Sequence, residues 1–316
     1  MFYPLVSIGL VTWNSAAKLP PTLQALARQD YPNLELIVVD NASADDSISL
    51  ARQTFPAAQI ILNAQNRGFC GGHNQAIAAS RGKYYLPLNP DLVMRPDYIT
   101  RLADVLEDHP ECGSVAGKLL REPGIIDSTG LFINRRRQQY LRGHGEADKG
   151  QYDTPGEVFG VDGAGPLYRR AMLEDTRVFD QYFDENFFSH KEDVDLSWRS
   201  RLLGWRCWYT PTAIALHERG FKPGQREEIS SQTKLHAIKN RYLLLWKNEL
   251  SSGWQRDWAY ILWYDLQIWG YLCLFERSSL AALPLIGRLR PSLRAWRIEI
   301  MRRVKTHPLE MLMWFR

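Results

Sequence analysis

Cysteine is scarce in this chain. Its 316 residues hold four, Cys70, Cys112, Cys207 and Cys273, with no CxxC pair and no metal-finger spacing. That pattern suits a reducing cytoplasm better than a disulfide framework. No G-x-G-x-x-G follows the first apolar run and no G-x-x-x-x-G-K-[ST] occurs, so the phosphate-cradling turns of nicotinamide enzymes and P-loop ATPases are missing. The glycine-rich NRGFCGGHN (66–74) follows the third apolar run instead. In the aromatic C-terminal region the longest uncharged run before Glu276 is ten residues, 266–275, far short of the ~20 needed to span a bilayer. The start, MFYPLVSIGLVTWN, has no basic lead-in and no A-x-A site, and reads as a strand rather than a signal peptide. Internal repeats and low-complexity tracts are absent.

What is present is a globular composition, 45% hydrophobic and 23% charged, with length enough for one large or two modest domains. The net charge of +4 is uneven: from Leu285 onward eight Lys/Arg face two acids, so that tail carries +6 and the rest about −2. A basic tail serves a nucleic acid, a membrane surface or solubility.

The first ninety residues alternate. LVSIGLVTW (5–13), LELIVVD (34–40), AQIILN (58–63) and YYLPLN (84–89) are apolar runs of strand length. Between them, 16–29 (with Leu19, Leu23, Leu26 and Ala27 on one face), 43–55 and 72–81 read as helices. Ser43 with Asp46 three residues on predicts a capping-box variant. Continuous apolar strands in β-α alternation predict an α/β fold, a mostly parallel sheet flanked by helices. Ligands of such sheets bind beyond the carboxyl ends of the strands, and there Asn14, Asp40, Asn66 and Asp91 converge. Asn and Asp also favour strand-ending turns. Residues 120–160 read as polar loop or short strands. FFSHKEDVDLSWRSRLLGW (187–205) starts a helix with His190, Glu192, Asp193 and Asp195 in or before its first turn, where acids also favour the helix dipole. Beyond about 230 the chain reads as helical, and seven of its eleven tryptophans lie after residue 240.

Taken in order, VSIGLVTWN, LELIVVDNASADDS, NAQNRGFCGGHNQAI, YYLPLNPDLVM, VDGAGPLYRR and FFSHKEDVDLSWR resemble family 2 glycosyltransferases, most closely the bacterial rhamnosyltransferase-type branch. The resemblance covers roughly residues 4–220 and implies the GT-A nucleotide-sugar fold: a catalytic domain over 1–225 (nucleotide half about 1–115, acceptor half about 116–225) and a helical extension over 226–316. It implies that Asp40 reads the donor base, with Thr12, Asn14, Asn66, Gly68, Asn74 and Asn89 around the nucleotide. It places a divalent Mg²⁺ or Mn²⁺ on Asp91, with His217 a second ligand, at a site weakened because Asn89 stands where many relatives carry an aspartate. Pro90 presets that turn. Asp193 takes the general-base position, and Asp162, Gly163, Glu192 and Trp198 the sugar and acceptor. No nucleophilic Ser or Cys motif stands out, which favours direct displacement with inversion.

The expected function is transfer of a sugar, rhamnose or another deoxyhexose, from a dTDP- or UDP-linked donor to a glycan or lipid-linked acceptor, on the inner face of the cell membrane. A sugar nucleotidyltransferase is the enzymatic rival, but its Gly-rich turn after strand 1 is missing. A non-catalytic membrane- or nucleic-acid-binding scaffold leaves Asp40, Asp91 and Asp193 unexplained. Tryptophan, tyrosine and basic residues in the tail favour a membrane interface over nucleic acid; a homodimer interface or a helical cap is the alternative.

Overall fold

The computed structural model describes residues 3–218 and 229–316. Strand β1 (Val6–Thr12), helix α1 (Leu19–Ala27), β2 (Leu34–Asp40), α2 (Ser47–Thr54), β3 (Gln59–Leu62), α3 (Gly68–Ala79) and β4 (Tyr84–Leu88) follow the expected alternation. They pair in the order β3-β2-β1-β4, all parallel, with Thr12 opposite Asp40 at the last rung of β1 and β2. Strand side chains alternate between the two faces of a sheet. On β2, accordingly, Ile37 and Val39 enter one hydrophobic cluster while Val38 enters the other. That two-sided burial is why these strands carry unbroken apolar runs.

The capping box expected at Ser43 does not form. Helix α2 begins at Ser47, and the Ser43 hydroxyl accepts the Asn14 N–H at 2.9 Å. Ser47 donates to Asp45 Oδ1 from both its N–H and its hydroxyl. The loop after β2 uses its polar side chains to hold the tip of β1, which a local helix-start pattern does not encode.

After β4 come β5 (Leu92–Met94), α4 (Tyr98–Asp108) and β6 (Cys112–Glu122). The polar middle then forms short strands β7 (Ile125–Ser128), β8 (Leu131–Ile133), β9 (Gln139–Leu141) and β10 (Gly156–Glu157). Strand β11 (Leu167–Arg169), α5 (Arg170–Thr176), α6 (Glu192–Leu202) and β12 (Arg206–His217) complete the sheet half. β11 lies antiparallel between β4 and β6, and β12 runs parallel to β6. The end of β12 meets β5 with His217 opposite Leu92, one residue after Asp91.

The helical C-terminal segment comprises α7 (Ser231–Asn248), α8 (Ser251–Phe275), α9 (Ala282–Arg302) and α10 (Pro308–Met313). The domain boundary expected at 225 lies outside the described residues. Leu243 and Leu244 of α7, Trp296 and Ile300 of α9, and Phe315 share one cluster with Phe187, Val194, Trp198 and Leu202. A buried ionic cluster joins α7 to α6: Lys247 Nζ contacts Asp184 at 2.6 Å and Asp195 at 3.0 Å, and Asp195 also holds Arg199 and Asn248.

Candidate active site

The order β3-β2-β1-β4 reverses direction at β1, and the crevice beyond β1 and β4 is where a doubly wound sheet binds its ligand. At the tips of β1 and β2, Thr12 Oγ1 and Asp40 Oδ1 are buried with no hydrogen-bond partner among the described residues. The other Asp40 oxygen accepts the Ser43 N–H at 3.1 Å. Unpaired buried polar atoms are costly. Two at adjacent strand ends mark a place where a ligand would supply the missing groups.

The neighbouring asparagines serve the scaffold. Asn14 sits at φ 49° and its Oδ1 accepts the Ala44 N–H at 2.8 Å, tying the loop after β2 to β1. Asn66 Oδ1 accepts the Gly68 N–H at 2.7 Å. Gly68 itself, at φ 68°, passes so close to the Phe188 carbonyl that any Cβ would collide with it. Asn74 donates to the Phe183 carbonyl at 2.8 Å and accepts the N–H groups of Tyr182 and Phe183. Expected around the nucleotide, Asn74 instead spends its amide fastening α3 to the 182–185 segment.

A cavity of about 480 Å³ brings together Asn89, Asp91, His217, Asp162, Glu192 and Asp193. The Asn89-Pro90-Asp91 turn links β4 to β5, and the β5–β12 pairing delivers His217 beside it. His217 Nε2 lies 3.5 Å from Asp91 Oδ1 and 3.5 Å from the Asn89 amide. On the far side Nδ1 meets Asp127 Oδ2 at 2.9 Å, and Asp127 is fully buried. When Nδ1–H is donated to Asp127, a proton on Nε2 bridges to Asp91; with that proton displaced, Nε2 and the carboxylate are two facing acceptors that fit a cation between them. Lys18 Nζ reaches Asp91 Oδ2 at 3.1 Å. Burial raises the Asp91 pKa, but hydrogen bonding and charge from His217 and Lys18 outweigh it and hold the group below its ordinary value. Among the described residues no cluster of three or more ligating side chains occurs. Asp91 and His217 offer a cation two donors, and a Mg²⁺ ion held there would take the rest of its shell from substrate phosphates and water.

Across the cavity, the Phe188–Lys191 turn enters α6 with Phe188, His190 and Lys191 all at positive φ. Asn240 of α7 holds this turn by donating to the carbonyls of Phe187, Ser189 and His190 at 3.1, 2.8 and 2.7 Å. Asp193 Oδ1 accepts the Val194 N–H at 2.7 Å, and Oδ2 accepts the Gly163 N–H at 3.1 Å. Asp162 Oδ1 accepts the Ala164 N–H at 2.9 Å and turns that glycine-rich segment toward Asp193. Glu192 is buried with Oε2 unpartnered, and burial together with the Asp193 charge pushes its carboxyl well above the usual range. The two adjacent carboxyls thus disfavour ionising together, and the cost falls on the buried Glu192.

Trp198 corrects the sequence reading. It is 1% exposed, its ring packed 5.2 Å from Phe315 and 6.2 Å from Phe159. Five residues along a helix from Asp193 it has turned about 140° away from the cavity. Three contributors escaped the sequence reading altogether: Lys18, Asp127 and Lys191. Lys191 stands inside HKEDVD, where a cation beside two acids was its only signal. Asp127, 90 residues from His217, had none.

The sequence profile of Glycosyl transferase family 2 matches residues 7–177. The chain belongs to that family. It is 26% identical over 281 residues, 80% of this chain and 87% of the relative, to the N-acetylglucosaminyl-diphospho-decaprenol L-rhamnosyltransferase of Mycobacterium tuberculosis. It is 22% identical to the poly-beta-1,6-N-acetyl-D-glucosamine synthase of Staphylococcus epidermidis, over 66% of this chain and 48% of that one. Among solved structures, S. aureus TarS 1-349 in complex with UDP-GlcNAc aligns with a TM-score of 0.60 at 18% identity, over 94% of this chain and 89% of that one. A mannosyltransferase from Pyrobaculum calidifontis in complex with GDP-Man and Mn²⁺ aligns at 0.56 and 17%, over 95% and 85%. The fold of this family 2 glycosyltransferase is therefore GT-A.

Proposed function

We propose that this glycosyltransferase moves a sugar, with inversion, from a nucleoside diphosphate to a hydroxyl of a glycan or lipid-linked acceptor. The observation that carries the reading is the pair of orphaned polar atoms, Thr12 Oγ1 and Asp40 Oδ1, at the switch point of the sheet, with a second polar centre around Asp91 after the neighbouring strand β4. Asp40 accepts a ring N–H of the base. Asn89, Asp91 and His217 face the diphosphate, and Asp91 and His217 are the residues that would hold Mg²⁺ or Mn²⁺. Bound there, the ion would offset the charge of the departing nucleoside diphosphate. Asp193 takes the proton of the attacking hydroxyl while that oxygen forms its bond to the anomeric carbon and the bond to the diphosphate breaks. A deoxyhexose donor, dTDP- or UDP-linked, is supported by the likeness to the mycobacterial rhamnosyltransferase. Peripheral contact with the inner membrane face is supported by the exposed aromatic side of α8.

Calorimetry with UDP and dTDP, with and without Mn²⁺, tests the arrangement. Asp91→Asn is expected to abolish the metal-dependent gain in affinity while the metal-independent contact at Asp40 survives. Unchanged metal dependence in Asp91→Asn moves the ion elsewhere, and sugar transfer without pyrophosphate-linked products separates transfer from nucleotidyl chemistry.

A further inference from the structure

The corner where α7 passes into α8 encloses a second cleft, which has no lining residue in common with the catalytic cavity. Its volume is about 620 Å³, within the roughly 300–1,000 Å³ of small-molecule sites. Leu245 of α7, Leu250 between the two helices and Leu293 of α9 give it an apolar wall. Trp246 and Trp254 line it as well and are 46% and 50% exposed. One turn further along α8 stands the exposed Trp258, so the cleft continues onto the aromatic side of that helix.

Helix α9 adds charge of one sign. Arg290, Arg294 and Arg297 line the cleft at four- and three-residue spacing and so share one face of the helix, spread over about 10 Å. Arg290 lies over the Trp246 ring, 5.6 Å from its centroid, and Arg297 donates to the Trp246 carbonyl at 3.0 Å. None of the three forms an ion pair among the described residues. The acid in the wall, Glu249, is already held by Arg137 at 2.6 and 2.9 Å. Burial disfavours the charged form of Arg297 and lowers its pKa, so an anion beside it restores what burial removes. Three guanidiniums over an apolar wall complement an amphiphile with an anionic head. A free phosphate would leave the leucines in water, and a neutral lipid would leave the arginines without counter-charge. The exposed tryptophans point to a bilayer as the source, because indole rings favour the membrane–water interface.

We propose that this cleft seats one anionic phospholipid, its phosphate on Arg290, Arg294 and Arg297 and an acyl chain against Leu245, Leu250 and Leu293. The lipid takes no part in sugar transfer. The inference deepens the membrane contact proposed above by adding a site for a single molecule, and rests on that contact only for the lipid's source.

Its test is calorimetry on the full chain with dihexanoyl phosphatidylglycerol kept below its micelle concentration, against dihexanoyl phosphatidylcholine and glycerol phosphate. Phosphatidylglycerol is expected to bind one per chain, about tenfold more tightly than either of the others. Arg290→Gln with Arg294→Gln, at exposed positions where folding is not at stake, is expected to weaken it about tenfold and leave phosphatidylcholine unchanged, the scale of one charge-assisted hydrogen bond. Trp254→Glu is expected to weaken both lipids. Trp258→Glu with Trp263→Glu, outside the cleft, is expected to bind monomeric phosphatidylglycerol as the wild type does. Phosphatidylglycerol binding no tighter than phosphatidylcholine overturns the proposal, as does unchanged affinity in the arginine pair. A dimer that Trp254→Glu dissociates, in a chain that binds no lipid, gives the cleft to a second copy and overturns it too. Because the probe is monomeric, the cleft is decided whether or not the chain sediments with vesicles, and failure to sediment counts against the membrane contact alone.

Discussion

Three acids fill the first turn of α6, and their surroundings separate them. Asp195 is buried against Lys247, Arg199 and Asn248, each within 3.0 Å, and binds α6 to α7. Glu192 is buried with an oxygen unpartnered among the described residues, and burial together with the Asp193 charge raises its pKa. Asp193 faces the cavity, where Gly163 and Val194 orient its two oxygens. Asp193→Asn keeps the shape and removes the basicity. Turnover at saturating donor and acceptor is expected to fall by roughly 10²–10⁴ with donor affinity nearly unchanged. Asp195→Asn strips one partner from a buried ionic cluster, and is expected to cost about 3–5 kcal/mol of stability by urea unfolding. If Asp193→Asn turns over at the wild-type rate, or loses stability as Asp195→Asn does, the division of labour is wrong. The motif made all three acids visible in the sequence. It could not assign Asp195 its role, because Lys247 and Asn248 lie some 50 residues away on α7.

At the scale of elements, the apolar runs were enough to place β1 to β4, although the edge strand β3 is only partly buried and α3, buried on most of its sides, begins at Gly68 rather than at 72. Contacts across the chain were not readable that way: Ser43 serves Asn14 rather than its own helix, and Asn240 serves a turn 50 residues earlier. Helix α3 carries a similar hidden device. His73 is 1% exposed, with Nδ1 2.7 Å from the Tyr85 hydroxyl and its ring against Phe69. Burial lowers its pKa from 6.5 to about 3. The folded chain therefore resists a proton that the unfolded chain accepts below its own pKa. Stability from this neutral histidine is full above pH 6.5 and is lost as pH falls toward 3, at up to about 1.4 kcal/mol per pH unit. His73→Gln removes the titrating group, so the acid limb of urea stability measured from pH 7 to 4 is expected to flatten relative to the wild type. Parallel limbs in the two proteins would mean that His73 is not protected from protons in the fold.

The whole molecule gives α8 an unusual orientation. A surface helix ordinarily turns its apolar stripe inward, and α8 does bury Gly253, Asp257, Ile261 and Leu272. Its Asp257 is fixed by Arg135 and Arg137. Yet Trp254, Trp258, Trp263, Leu266, Leu274 and Phe275 face solvent, each at least half exposed. No helix among the described residues is long and apolar enough to cross a membrane. Aromatic side chains outside and exposed arginines at 288, 290 and 294 on α9 instead match a helix lying in an anionic lipid interface. The charge excess after Leu285 invites deletion of 285–316 as the test, but Trp296, Ile300, Met311 and Phe315 belong to the same core as Val194 and Leu202, so that truncation is expected to unfold the protein. Substitution on the exposed side separates binding from folding. Trp258→Glu with Trp263→Glu is expected to leave UDP affinity and thermal midpoint nearly unchanged, surface changes costing about 0.5 kcal/mol or less. The same protein is expected to lose sedimentation with vesicles of anionic phospholipid at low salt. Raising the salt should weaken wild-type binding as well, since each basic residue at the surface contributes about 1 kcal/mol through a screened field. A wild-type chain that ignores such vesicles at low salt, or a double variant that sediments as well as the wild type, would remove the membrane from the account and leave the aromatic side of α8 to a second copy of the chain.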